Sequence, residues 1–337
     1  MICPYIRSSS LNAFKTCQMR YYLEYVLGMR SPAGKPATLG TIFHKVFEIR
    51  ALAKKNQQNK KSFFVDDNLG KLTVKESKDY KNILDKSWDY YKEIETHVDL
   101  LKSDKTKILG WIEKTLNDYP NYDPFNMNIV EAEMFFDFEI KKPWAEQEIT
   151  IAGETVKNNL RIKGTMDTVV KLSDGVYELV DYKTGAKRND FATGAEKNLE
   201  YHMTQDKQLM LYAIALKEAF PEVELIVSLF WVNTGGIFSV PCDEEYLSKA
   251  WNMLEKDYKK ILKTYTPTQL DPEHKDWRCK YVCAFSRKQS PSDKKSICQT
   301  FRERIKKDGL VKVTNEYGSI SKATSYGDGG GRKNTGK

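Results

Sequence analysis

Six cysteines among 337 residues are too few for a disulfide scaffold, and a reducing, cytoplasmic setting is the expectation. Long apolar runs are missing as well. The longest nearly apolar stretch, Leu225–Val232, falls far short of the roughly 20 residues that a membrane-spanning helix requires, so no membrane partner is expected. The opening MICPYIRSSS has no apolar h-region, which argues against secretion. There is no Gly-x4-Gly-Lys-Ser/Thr phosphate loop either, so any ATP-driven motor would be a separate chain. No internal repeat is visible. What the chain does have is 40% apolar and 30% charged residues, the balance of a folded protein rather than a disordered one. Its length fits one decorated domain or two small ones.

Net charge is +8 and unevenly spread. Residues 275–337 hold 16 Lys and Arg against 6 Asp and Glu, a net of +10, which leaves −2 for the preceding 274 residues. An end-loaded positive field favours an anionic partner, nucleic acid foremost. A solubilising tail is the plainer alternative. Trp277, Tyr281 and Phe285 in this region are candidates for stacking on the bases of a bound strand.

Periodicity predicts a helix over Ser8–Gly28, a Pro/Gly-rich loop over Ser31–Pro36, and a second helix with an apolar stripe of Leu39, Ile42, Phe43, Val46 and Phe47. His44 and Glu48 lie opposite that stripe. Further helical spacing over Lys75–Glu95 and Leu100–Leu116 makes residues 54–126 a helical insertion. The texture then turns β-like at Ile129–Ile140, Glu148–Ile151, Leu160–Leu172 and Val176–Lys183, with a turn at Ser173-Asp174-Gly175. A helix over Glu200–Phe220, a strand pair over Val223–Val232 and Gly236–Val240, and an amphipathic helix over Glu244–Tyr265 follow. The expected organisation is N-terminal helices (1–53), insertion (54–126), core (127–265), a basic Cys-containing segment (266–311) and a disordered tail (312–337).

Chemistry is concentrated at Asp167 and at Asp181-Tyr182-Lys183. In a strand, residues i and i+2 share a face, so Asp181 and Lys183 point the same way. If opposing residues of the hairpin total 348 in number, Asp167 faces Asp181, with Cβ atoms roughly 5 Å apart. A bare two-residue Asp-Gly turn would set the total to 349 and put Asp167 on the wrong face, so a three-residue loop or a bulge is required. Facing carboxylates repel unless a cation lies between them, and oxygen ligands suit Mg²⁺ or Mn²⁺. A neighbouring lysine can orient a water or stabilise charge on a phosphate, which fits metal-assisted phosphodiester hydrolysis. A surface hairpin with a salt bridge is the alternative.

Five segments occur in order: SSSLNAFKTCQMRYYLEYV (8–26), GTIFH (40–44), GTMD (164–167), DYKTG (181–185) and QLMLY (208–212). Together they resemble the PD-(D/E)XK nuclease superfamily, in its RecB/AddB-like exonuclease branch, which includes the small CRISPR-adaptation nucleases. The resemblance implies an α/β (α+β), restriction-endonuclease-like core with a mixed central sheet flanked by helices. It implies a metal-dependent DNA exonuclease acting on ends or single strands in recombination, repair or replication, or in phage-type DNA processing, with a possible helicase partner. A catalytically weak DNA-binding subunit and a non-enzymatic scaffold are the alternatives. By the same resemblance His44 is a metal ligand or phosphate contact, and Asp167 and Asp181 are metal carboxylates. Lys183 is the catalytic lysine, the Tyr182 carbonyl completes the metal shell, and Gln208 and Tyr212 brace the lysine and the strand. Glu131 and Glu133 are further acids without an assigned role.

Several relatives in that branch hold a [4Fe–4S] cluster with one N-terminal and three C-terminal cysteines. Cys17, Cys279, Cys283 and Cys298 match this count. Their Cys-x3-Cys-x14-Cys spacing departs from the family pattern, in which two residues separate the first pair. A zinc site with four cysteine ligands and plain buried thiols stay open. Cys3 and Cys242 read as ordinary thiols.

Overall fold

The computed structural model describes residues 1–318 except positions 4, 30, 33, 60–63, 152, 186–188, 190–193, 195, 234–235 and 289–291. In chain order the elements are β1 (Tyr5–Ile6), α1 (Ser8–Thr16), α2 (Gln18–Tyr21), α3 (Lys35–Gln58), β2 (Phe64–Asp67), β3 (Gly70–Thr73), α4 (Tyr80–Ile94), α5 (Lys102–Asp118), β4 (Ile129–Glu139), β5 (Glu146–Ile151), β6 (Glu154–Asn159), β7 (Arg161–Ser173), β8 (Val176–Lys183), α6 (Leu199–Thr204), α7 (Lys207–Ala219), β9 (Glu224–Trp231), β10 (Ile237–Pro241), α8 (Glu244–Leu262), α9 (Ile297–Asp308) and α10 (Leu310–Tyr317). Contacts divide the chain into two units. One comprises Met1–Pro32, Asp137–Lys163 and Asn252–Lys337, the other Ala33–Phe136 and Gly164–Trp251. Among the described residues no helix is long and apolar enough to cross a membrane.

The second unit is a mixed sheet with helices. Its central strand, β8, runs antiparallel to β7 and parallel to β9, which pairs antiparallel with β10, and β4 pairs with β7. A parallel pair cannot be closed by a tight turn, and the crossover from β8 to β9 is made by α6 and α7. The periodicity-based expectation of one helix over Glu200–Phe220 is corrected here. The helix breaks at Gln205, and Asp206 caps a fresh start, its carboxylate accepting from the amides of Gln208 and Leu209.

α3 begins with Pro36 in its first turn, where a missing N–H costs nothing. Its Leu39, Ile42, Phe43, Val46 and Phe47 enter a core shared with Val170, Val180, Tyr182 and Phe230 of the sheet. Ile83, Leu84, Trp88, Ile108, Trp111 and Ile112 of α4 and α5 belong to that same core. The β2–β3 hairpin, between α3 and α4, was not legible as strands. Arg50, fully buried on α3, forks onto Asp123 at 2.5 and 2.6 Å.

The β7–β8 register runs Thr168↔Val180, Val169↔Leu179, Val170↔Glu178 and Lys171↔Tyr177, each pair totalling 348. At the tip Ser173 pairs with Val176, and the register shifts between Lys171 and Ser173. The turn itself is therefore two residues, Asp174-Gly175, with Gly175 at φ +78°. A bulge at the exposed Leu172 restores this register, whose Thr168↔Val180 pair stands one residue from Asp167 on β7 and from Asp181 on β8.

In the first unit, β1 pairs in parallel with Arg161 and Ile162, and β5 and β6 form a hairpin. The N-terminal segment is broken into α1, α2 and a π turn over Tyr22–Val26, where one long helix was expected. The disordered tail expected from Lys312 onward is also corrected. α10 continues to Tyr317 because Leu310, Val313 and Thr314 are buried, and the Thr314 hydroxyl lies 3.0 Å from that of Tyr22. The rest of that segment, 319–337, lies outside the described residues.

Candidate active site

Four elements of the second unit converge on one constellation. α3 presents His44, whose Nδ1 stands 3.1 Å from Asp167 Oδ2 on β7. Asp181, 2% exposed, is ion-paired with Lys183 two residues on along β8. The Tyr182 amide donates to Asp167 Oδ2 at 2.8 Å, tying the two strands at this point. Tyr182 itself is anchored in the core, its hydroxyl donating to the Tyr122 carbonyl at 2.9 Å. From α7, Gln208 Nε2 donates to Asp181 Oδ1 at 3.1 Å and to the Tyr212 hydroxyl at 2.8 Å. That hydroxyl in turn donates to the Thr165 carbonyl at 3.0 Å. Gln208 and Tyr212 thus touch Asp181 and the β7 backbone, and no hydrogen bond joins Gln208 to Lys183 itself among the described residues.

Two glycines permit these approaches. A Cβ on Gly40 would sit 3.1 Å from Thr184 Oγ1, so the α3 turn before His44 comes close to the end of β8. A Cβ on Gly164 would sit 2.4 Å from Phe136 Cζ, where the ring covers the strand leading to Asp167.

The electrostatics follow from burial and these pairings. Burial opposes the charged form of His44, but Asp167 overrides it and raises the imidazole pKa. Burial likewise works against the Asp167 charge, yet His44, Lys183 and the Tyr182 amide hold it below the usual carboxylate range. For Asp181, burial dominates, opposed by Lys183 and reinforced by Asp167, and the carboxyl is pushed up to about 6. Lys183 resists its own burial through Asp181 and Asp167, and its pKa is raised. The His44 and Lys183 side chains stay 29% and 26% exposed, so the charged edge of the cluster is open to a substrate.

One participant was not assigned from sequence. On β4, Glu131 pairs with Lys55 at 2.6 Å, whereas Glu133 feels the charges of Asp167, His44 and Asp181. Burial first, and Asp167 next, push Glu133 up to about 7. Its backbone φ of +50° is in the left-handed region, which a non-glycine residue in a strand rarely adopts. Nothing in its spacing separated it from Glu131.

Hard carboxylate oxygens with one imidazole fit Mg²⁺ or Mn²⁺, and the pressure on Asp181 toward its neutral form is the condition that a divalent cation relieves. Among the described residues no three His, Cys, Asp or Glu side chains stand as a ready-made ligand set; Asp167 is turned to His44 and Asp181 to Lys183.

In the first unit, Cys17, Cys279, Cys283 and Cys298 all line one small cavity, with Arg20, Gln269, Asp271, His274 and Phe285. The ends of the sequence meet here through Gln18, whose Oε1 accepts from the Thr268 amide and hydroxyl, and through Met19, whose amide donates to the Thr268 carbonyl. Burial and then the neighbouring cysteines push the Cys279 thiol up to about 11. Burial pushes Cys298 to about 12, Gln269 opposes this, and the other three cysteines add to it. The four thiols share this cavity without standing as a ready-made ligand set. Phe285 is 3% exposed against this cavity and is not available to stack on bases, which corrects the expectation; Trp277 and Tyr281 are exposed. Cys3 and Cys242 are separate buried free thiols.

No curated protein matches this chain. Among solved structures, it resembles a protein from Eubacterium rectale that is provisionally named an exonuclease, with 15% identity, 85% of this chain and 91% of that one covered, and a TM-score of 0.47. It also resembles the protein SSO0001, with 17% identity, 59% of this chain and 78% of that one covered, and a TM-score of 0.25. The model of the PD-(D/E)XK nuclease superfamily matches residues 8–287, which takes in every element that builds the constellation around Asp167 and Asp181. The chain belongs to the PD-(D/E)XK nuclease superfamily.

Proposed function

We propose that this chain is a DNA exonuclease of the RecB/AddB-like branch, dependent on Mg²⁺ or Mn²⁺ and acting in the cytoplasm on DNA ends or single strands. The observation that carries this reading is the convergence of His44, Asp167, Asp181 and Lys183 from α3, β7 and β8. Asp167, Asp181, His44 and the Tyr182 carbonyl would hold the ion, which when bound supplies a Lewis acid for the phosphate and a more acidic water. Lys183 carries an ammonium kept charged by Asp181 and Asp167, and it stabilises negative charge building on the phosphate. Gln208 fixes the Asp181 carboxylate, and Tyr212 fixes Gln208 against β7. Lysines and arginines of the basic C-terminal region neutralise the strand without reading its sequence.

The test is incubation of linear, circular and single-stranded DNA with Mg²⁺ or Mn²⁺, beside Asp181→Ala and Lys183→Ala variants. Metal-dependent loss of linear DNA, absent from both variants, is the expected result. DNA bound but left intact by the wild type would replace the enzyme with a nuclease-like binding subunit, such as one serving a helicase. Neither binding nor cleavage would leave a scaffold.

We further read Cys17, Cys279, Cys283 and Cys298 as the ligands of a [4Fe–4S] cluster, supported by their shared cavity. Anaerobically purified protein should be brown and contain iron, and Cys279→Ala should lose both. Colourless protein with zinc, or with no metal, would overturn this reading.

A further inference from the structure

The cysteine cavity is lined by two side-chain atoms that are sealed from solvent with no hydrogen-bond partner among the described residues, the acceptor Gln269 Oε1 and the ring nitrogen His274 Nε2. A buried, unpaired ring nitrogen costs free energy unless something pairs with it. The backbone is also shaped to bring it there. His274 has φ +58°, in the left-handed region that residues other than glycine uncommonly adopt. The loop holding that conformation is built by Asp271, whose carboxylate accepts from the amides of Glu273 and Asp276 while its carbonyl accepts from the His274 amide.

Other donors already address the sulfurs of this cavity. Gln269 Nε2 donates to Cys298 Sγ at 2.8 Å, and the Arg20 amide donates to Cys17 Sγ at 3.5 Å. Two of the four sulfurs thus already accept from N–H donors of the lining, whereas the His274 ring nitrogen has no acceptor among the described residues. An anionic, thiolate-bound centre would supply one.

We infer that His274 is a positioning residue of the cysteine centre, its Nε2–H donating to a sulfur of the cluster held by Cys17, Cys279, Cys283 and Cys298. This rests on the iron–sulfur reading above. Hydrogen bonds to cluster sulfurs favour the reduced, more negative form and so raise the reduction potential. His274 does not ligate iron, and its loss leaves the cluster in place.

The experiment compares wild type, His274→Leu and His274→Asn as full-length proteins purified anaerobically. Iron and sulfide content are measured first, then the midpoint potential by dithionite titration followed by absorbance and electron paramagnetic resonance. Equal iron content in all three is expected, with the midpoint of His274→Leu shifted to more negative potential. Asparagine tolerates the left-handed backbone and keeps an N–H donor, so His274→Asn should return toward the wild-type value. If the leucine variant does not fold, His274→Gly, which suits φ +58° and also lacks the donor, carries the same expectation. An iron-loaded donorless variant with an unshifted midpoint overturns the inference while sparing the cluster. Wild-type protein without iron overturns the cluster reading and the inference together.

Discussion

His44 Nδ1 and Asp167 Oδ2 stand 3.1 Å apart, the one on a helix whose apolar stripe packs into the core, the other on a strand whose opposite face does the same. Each group shifts the other toward its charged form, so the pair is a preset clamp on one carboxylate of the site. Removing His44 leaves Asp167 with Lys183 as its cationic neighbour. His44→Ala should lower DNA cleavage about 10–100-fold and raise the Mn²⁺ concentration needed for half-maximal rate, with the circular dichroism spectrum unchanged. Wild-type metal dependence in this variant would remove His44 from the site.

Gln208 couples Asp181 to Tyr212, and Tyr212 to the Thr165 carbonyl. Gln208→Leu keeps the volume but frees the Asp181 oxygen. We expect a loss of about 10–100-fold in cleavage rate, with DNA affinity measured by fluorescence anisotropy held within a factor of about two. A larger effect on affinity than on rate would make Gln208 a strand contact instead.

Asp181 is held at about 6 and Glu133 at about 7, both above where carboxylates titrate in an unfolded chain. From about pH 4 to 7 these groups bind more protons in the folded protein than in the unfolded one, so their contribution to stability declines as pH rises through that window. In the presence of EDTA, the urea midpoint of Glu133→Gln or Asp181→Asn should fall less between about pH 5 and pH 8 than that of wild type. Divalent cation should flatten the wild-type profile. Parallel profiles for wild type and both variants would contradict the assignment.

Gly164 has no room for a methyl group under the Phe136 ring. Gly164→Ala should destabilise the protein by about 1–3 kcal/mol in urea unfolding, through displacement of the ring or the strand. Adding Phe136→Ala should recover part of that loss, since the two positions are in contact. Strict additivity would show that the clash is absorbed elsewhere.

Arg50 and Asp123 are 0% and 1% exposed and bind each other through paired hydrogen bonds. Asp123→Ala removes the paired carboxylate from a buried guanidinium and should cost about 3–5 kcal/mol, read from the urea midpoint. Because Asp123 also caps the turn at Phe125, Asp123→Asn should restore the cap but not the charge, and fall between the two.

The order of motifs, the helical stripe around His44 and the register of the β7–β8 hairpin were all legible in the sequence. Each depends on a local period, 3.6 in a helix and 2 in a strand, that the chain carries wherever it is placed. Counting required a three-residue loop or a bulge, because a two-residue turn alone gives the wrong parity, and the hairpin has the bulge. Other features were decided only by tertiary structure. Glu133 and Glu131 share a strand face by spacing, yet Lys55 takes one while the other feels the charges of Asp167, His44 and Asp181. Phe285 is aromatic in a basic segment, which reads as a stacking platform until burial against the cysteines removes it. Cys17 meets Cys279, Cys283 and Cys298 because Gln18 and Met19 hydrogen-bond Thr268, a long-range closure that no local spacing encodes. Local periods determine which side chains share a face; which distant faces meet depends on how the whole chain buries its apolar surface and pairs its buried polar groups.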